Sequence, residues 1–246
     1  MKKILLLLSI AGAAHAQSAG EVLKLLDQAR HDFNDLTLES KMTIYEPGAA
    51  TGRVVTFTTM VKGDKRLIRF TGPPDVRGMG LLTEGRDTMY ALLPAFGNRI
   101  RRMGTHAKNQ SFMGSDVPNE DLAGGNYADA FTPKLVGTEG NSWVVELTLM
   151  PGKEGAFPKQ KLWVDKTSHQ IVKTEFMNDK GESLLTMTSG GWVKDDGSST
   201  HWSPRSITYV DHARNDHKTT VEMASVKANQ GLSDDVFTQR GLQRGN

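Results

Sequence analysis

The chain has 246 residues, 37% hydrophobic and 24% charged, with 30 basic against 28 acidic side chains and no cysteine. That is enough chain to bury a sizeable core without cross-links, and its ordinary charged and apolar content excludes wholesale disorder. The lack of cysteine excludes a thiol nucleophile, a thiolate metal site, an iron–sulfur cluster and an acylated N-terminal cysteine anchor.

Residues 1–16 read as a cleaved secretory signal peptide. Lys2 and Lys3 precede an apolar run over residues 4–8 that continues to Ala14, and Ala14, His15 and Ala16 put small residues at the −3 and −1 positions of a cleavage site. The run is too short to span a bilayer. Without this segment the 30 basic side chains become 28 against 28 acidic ones, so the mature chain is formally neutral. A neutral chain gives no electrostatic support for binding nucleic acid or an anionic membrane. The expected product is a single exported domain over residues 17–246.

Taken in chain order, the first element is an amphipathic helix. Ser18 and Glu21 stand at capping-box spacing, and Val22, Leu25, Leu26, Ala29 and Phe33 form one apolar stripe. From Thr37 the hydrophobic period changes to two. Strands are predicted near 37–45, 53–62, 65–70, 79–83, 87–93 and 98–103, then near 142–150, 160–165, 170–177, 183–193, 205–211 and 217–226. About a dozen strands joined by short polar or Pro/Gly turns make a meander, so the sheet is antiparallel and strongly curved or closed. No βαβ alternation and no Gly-rich phosphate loop occurs, which excludes Rossmann and P-loop chemistry.

Several strands are apolar on both faces. Val54 and Met60 oppose Val55, Phe57 and Val61, and Met89, Ala91 and Leu93 oppose Tyr90 and Leu92. Trp143, Val145, Leu147 and Leu149 instead alternate with Val144, Glu146 and Thr148, a half-solvated pattern. A barrel-like sheet around an apolar interior needs double-sided strands; a filled core is the simpler alternative. Residues 103–133 break the pattern, with short helices expected over 119–122 and 127–131. A connection this long is too long for a passive turn.

The polar residues offer little catalysis. His106, Ser111 and Asp116 fall in the long loop but lack a nucleophile elbow. Asp211, His212, Asp216 and His217 flank Ala213, Arg214 and Asn215, good turn chemistry that explains them without a metal. His31, His169 and His201 are isolated and read as surface residues. Asp116, Glu120 and Asp121 read as helix-capping residues, with an ion pair to Arg99, Arg101 or Arg102 holding the loop against the sheet.

One succession of residues is recognisable. Pro73, Pro74, Asp75, Val76, Arg77 and Gly78 are followed by a run from Met89 through Tyr90, Ala91, Leu92 and Leu93 to Pro94, and then by Arg99, Ile100, Arg101 and Arg102. Next come Ser111, Phe112, Met113, Gly114, Ser115 and Asp116, then Glu120, Asp121 and Leu122. This order resembles the outer-membrane lipoprotein-sorting family, the LolA/LolB-like carriers associated with RND-type exporters. The likeness continues more weakly through Leu162, Trp163, Val164 and Asp165 and the segment 232–237.

The resemblance implies a mainly β fold, an unclosed antiparallel β-barrel whose helices plug or cover a hydrophobic cavity that receives acyl chains, with no enzymatic activity and no cofactor. The expected partners are the acyl chain of a lipoprotein or another lipid, an RND-type exporter and a transiently touched membrane. Residues 111–116, with Glu120 and Asp121, mark the family and are expected to lock the loop. Cavity candidates are Met42, Ile44, Phe57, Met60, Ile68, Phe70, Met89, Leu93, Trp143, Leu147 and Trp163. The rival expectation is a sensor or accessory subunit of such an exporter, using the same fold to bind a protein.

Overall fold

The computed structural model of the chain describes residues 17–85, 88–94, 97, 99–104, 112–118, 121–122, 124–198 and 200–244. The proposed signal peptide lies outside them, as do His106, Ser111 and Glu120.

The first helix, α1 (Ala19–Arg30), starts where the sequence predicts. The Ser18 amide donates to Glu21 Oε2 at 2.7 Å and the Glu21 amide donates to Ser18 Oγ at 3.2 Å, a complete capping box. Its buried face is Val22, Leu23, Leu26 and Asp27. Leu25 and Ala29 of the predicted stripe are partly exposed, and Phe33 falls past the helix end. The shift brings in Asp27, whose carboxylate accepts from the amides of Tyr127 and Ala128 at 2.9 and 3.0 Å. A polar residue belongs on the buried face because it ties the helix to a loop about a hundred residues away.

The strands are β1 (Leu36–Tyr45), β2 (Arg53–Lys62), β3 (Lys65–Gly72), β4 (Gly80–Glu84), β5 (Thr88–Leu93), β6 (Arg99–Arg102), β7 (Phe131–Glu139), β8 (Ser142–Leu149), β9 (Lys159–Asp165), β10 (Ile171–Met177), β11 (Ser183–Gly190), β12 (Val193–Lys194), β13 (Trp202–Ser203), β14 (Ser206–Asp211) and β15 (His217–Ala228). Thirteen of them form one antiparallel sheet in the order β6-β5-β4-β3-β2-β1-β15-β14-β11-β10-β9-β8-β7. The meander therefore runs outward from a central seam in both directions, and β1 pairs with β15 from Leu36↔Ala228 to Tyr45↔Lys218. With β6 and β7 as free edges the sheet is curved but not closed, as the resemblance implies.

The predicted strands all appear, within a few residues. Three features differ from the sequence reading. β7 occupies what read as the end of the long loop, and residues 127–131 make a single turn, not a helix. β7 carries Pro133 and Gly137 and is largely exposed, which suits an edge strand and hides its period. The expected strand at 183–193 is in fact β11 followed by the separate hairpin β12–β13.

The double-sided strands have two separate partners. On the concave face Val55, Phe70, Leu81, Val145, Leu147, Leu162 and Phe176 join the helix residues in the main core. On the convex face Leu67, Leu82 and Leu92, with Met60 and Tyr90 beside them, are covered by Phe237 and by Leu242 of the terminal helix α2 (Gln239–Arg244). Leu242 is fully buried, and a Cβ on Gly80 would stand 2.5 Å from its Cδ1. Leu242→Ala is expected to cost about 2.5 kcal/mol, the usual cost of a truncated core leucine. Urea unfolding measures it; a loss below about 0.5 kcal/mol would mean α2 is only loosely laid on the sheet.

Candidate functional site

The concave face holds a cavity of about 310 Å³. Strand alternation supplies its floor: Leu36, Leu38, Ser40 and Met42 of β1, Phe57, Thr59 and Val61 of β2, and Ile68 and Phe70 of β3 all point the same way. Met187, Ile207, Val221 and Met223 continue this face across the seam. Three segments cover it: the end of α1 with Arg30, His31 and Phe33; the loop with Phe112, Val117, Asp121 and Leu122; and the β11–β14 excursion with Trp192, His201 and Trp202.

The loop enters the cavity by an aromatic stack. Phe112 lies on Phe70 with ring centres 5.1 Å apart and planes at 17°, and Phe70 in turn touches Phe57 at 5.6 Å. Met113 and Gly114 follow with φ of 51° and 78°, two consecutive left-handed residues that reverse the chain. The turn needs a glycine at the second position to avoid a further steric cost. Behind it, Ser115 and Asp116 are buried, and the Val117 amide donates to Ser115 Oγ at 3.2 Å.

Asp116 anchors the loop to β15. The Asp116 amide donates to Thr219 Oγ1 at 2.9 Å, and that hydroxyl donates back to Oδ2 at 2.7 Å. His217 Nδ1 stands 2.8 Å from both carboxylate oxygens, so this nitrogen carries the proton. Arg214 Nη1 adds a contact at 3.3 Å. The sequence reading expected Asp116 to cap a short helix in a loop ion-paired to β6, and His217 to sit exposed at a turn. Instead His217 is 2% exposed and holds the aspartate. His212 and Asp216 do pair at the turn, at 2.7 Å.

His201, also read as a surface residue, is buried. Its Nδ1 bonds Asp195, whose Oδ2 also accepts from Ser203 Oγ at 2.8 Å, and its ring meets Phe33 edge-on at 4.7 Å. The pair holds the β12–β13 hairpin over one end of the cavity.

Arg66 is the polar residue on the otherwise apolar β3 face. Its Nη1 donates to the carbonyls of Asp121 and Leu122, each at 3.0 Å. Burial first, and then the nearby Arg30, push its pKa down to about 10, which leaves it charged at neutral pH. Tyr209, opposite, donates its hydroxyl to Asp121 Oδ2 at 3.2 Å. Its phenol is held well above the ordinary range, mainly by burial and then by that carboxylate.

Of the cavity candidates, Met42, Phe57, Ile68 and Phe70 line the cavity. Ile44 extends the Met42 face into the adjoining core, which Leu93, Trp143 and Leu147 also join. Met89 pairs with Thr83 and points with Ala91 to the same side. Met60 lies on the convex face under α2. Trp163 also faces outward, paired with Val144 and Lys173, with Lys173 Nζ 4.2 Å above its ring and its indole N–H on Glu139 at 2.7 Å. Within the family-marking loop, Phe112 and Asp121 line the cavity while Met113, Gly114, Ser115 and Asp116 shape and anchor the turn. Sequence reasoning missed Arg66, Arg30, Trp192 and His201. The legible signal was Arg66 in phase with Ile68 and Phe70, a charge on an apolar strand face.

A family model described as an uncharacterized protein matches residues 62–244. The chain belongs to that family. Its fold is shared with solved structures at low sequence identity. An outer membrane lipoprotein-sorting protein domain from Vibrio parahaemolyticus is 22% identical over 90% of this chain and 98% of its own, with a TM-score of 0.79. A domain-of-unknown-function protein from Desulfovibrio piger is 24% identical over 92% of this chain and 100% of its own, with a TM-score of 0.81. A LolA superfamily protein from Nitrosomonas europaea is 22% identical over 91% and 99%, with a TM-score of 0.74. The fold of this family member is thus LolA-like. No curated protein sequence matches it.

Proposed function

We propose that the protein is a non-enzymatic periplasmic carrier that shelters a lipid, or the acyl chain of a lipoprotein, in the concave cavity and passes it towards the outer membrane. The observation that carries this reading is the cavity itself. Its floor is apolar, and its cover is built from a helix end, a loop and a hairpin held largely by polar anchors. Hydrogen-bonded loops can open without unfolding the sheet, which a cargo-releasing protein requires. Each methylene taken from water contributes about 0.8 kcal/mol, so even a short chain gives usable affinity. The signal-like residues 1–16 and the LolA-like fold support the same reading.

Native mass spectrometry of the mature protein, purified from a periplasmic extract without detergent, tests it. The expected result is a bound lipid at one per chain, identified after organic extraction. A ligand-free mass together with no uptake of added lipopeptide or fatty acid would overturn the carrier and favour a sensor or accessory subunit that binds a protein, such as an RND-type exporter.

A further inference from the structure

The guanidinium of Arg66 is used on one side only. Both of its described hydrogen bonds leave from Nη1, to the two loop carbonyls. Its Nε is buried and has no hydrogen-bond partner. The N–H of Nε and one N–H of Nη2 are parallel in any arginine, and this edge is the one that grips two oxygens of a carboxylate or phosphate. Nη2 is flanked by Gly124, where a Cβ would stand 3.4 Å away.

A second donor in the same cavity is also unpaired. Trp192 Nε1 is buried without a partner. Arg66 and Trp192 are the two cavity-lining residues among those with buried, unpaired polar side-chain atoms, and in both the unpaired group is an N–H. A buried N–H left without an acceptor is unfavourable, and an acceptor on a ligand relieves it. The lining holds Arg30 and Arg66 with Asp121, and Arg30 Nη1 also lies 4.0 Å from Asp27 Oδ1. Asp121 already accepts from Tyr209, and Arg30 keeps its own contacts, with Nη1 donating to the Gly125 carbonyl at 3.0 Å and the guanidinium 4.9 Å from the centre of the Tyr127 ring.

Resting on the carrier reading, we infer that the ligand is a single-chain amphiphile with an oxyanion head, carboxylate or phosphate, gripped by the Nε–Nη2 edge of Arg66 while its tail lies on Met42, Phe57, Ile68 and Phe70. The size fits. A volume of 310 Å³ has room for one medium chain. Because Nε is sealed from water here, the head reaches it as the chain at Asp121 and Leu122 yields.

The test uses the mature protein and a tail-matched pair, decanoate and decan-1-ol, with inorganic phosphate as the headgroup alone. Calorimetry is expected to show decanoate binding at least about tenfold tighter than decanol. The Nε–H resonance of Arg66 in NMR is expected to move with decanoate and stay with decanol. Arg66→Lys keeps the charge but loses the fork, and is expected to bring the two affinities within about twofold. Equal affinities for decanoate and decanol in the unaltered protein would overturn the oxyanion head and leave the carrier standing. Binding of neither would overturn both. Phosphate alone moving the Nε–H signal, with decanoate no tighter than phosphate, would replace the amphiphile with a free-anion site. The NMR measurement on the unaltered protein decides the matter if Arg66→Lys does not fold.

Discussion

Asp116→Ala is expected to destabilise the protein by about 3 kcal/mol, because it strips a buried partner from three groups at once. His217, 2% exposed, loses its acceptor; Thr219 loses the oxygen its hydroxyl donates to; Arg214 loses its carboxylate. The removed side chain is itself fully buried, so water cannot readily replace it. Asp116→Asn should lose less, since an amide oxygen still accepts from Thr219 but no longer offers a charge to His217 and Arg214. Urea unfolding of both variants at pH 7 gives the comparison. A loss below about 1 kcal/mol for alanine would mean that this anchor adds little to the folded state. The same variant should free Phe112 from Phe70, so faster hydrogen exchange is expected at the amides of Phe112 and Val117, with the β9–β10 amides unchanged.

The second large effect is expected at Asp35, just before β1. Its carboxylate accepts from three successive amides after β15: Gln230 at 2.8 Å, Gly231 at 2.9 Å and Leu232 at 3.2 Å. Its own carbonyl accepts from the Asn229 amide at 2.8 Å. Asp35 is 2% exposed, so alanine there removes one buried charged acceptor from three amides at once. Loss of hydrogen bonds to a charged group sets the expected cost at about 3 kcal/mol. Since the segment beyond carries Phe237 and Leu242 to the convex cluster, proteolysis is the second readout. Cleavage should move to residues 229–238 in Asp35→Ala. A protease pattern identical to the parent's would show that the C-terminal segment holds itself in place.

These three aspartates (Asp27, Asp35 and Asp116) also show what the sequence could and could not reveal. Strands alternate with a period of two, and that is local, so the meander and its double-sided strands are legible from residues 37–93 alone. The capping box of Ser18 and Glu21 is local as well. β7 escaped because an edge strand needs neither a regular period nor freedom from Pro and Gly. The cavity was half legible. Alternation puts Met42 with Ile44, and Phe57 apart from Met60, but only the register across strands says which face is concave. Long-range polar partners were not legible at all. Nothing beside His217 in the chain announces Asp116, and nothing beside His201 hints that Phe33 covers it, so both read as surface residues.

The central seam between β1 and β15 has a consequence for how the chain must be completed. Each arm of the meander forms between sequence neighbours, the cheap local contacts that fold early. The seam joins strands from opposite ends of the chain, Leu36 against Ala228, so it closes last and carries the largest loop-closure cost. Until β15 arrives, β1 presents a bare row of backbone donors and acceptors in the middle of what becomes a continuous sheet. Such an edge invites pairing with another chain. A protein shortened by even its last thirty residues would therefore lose more than a strand. It would become two half-sheets with exposed sides, each a template for aggregation, and a cell making it needs something to hold those sides apart until the C-terminus is delivered.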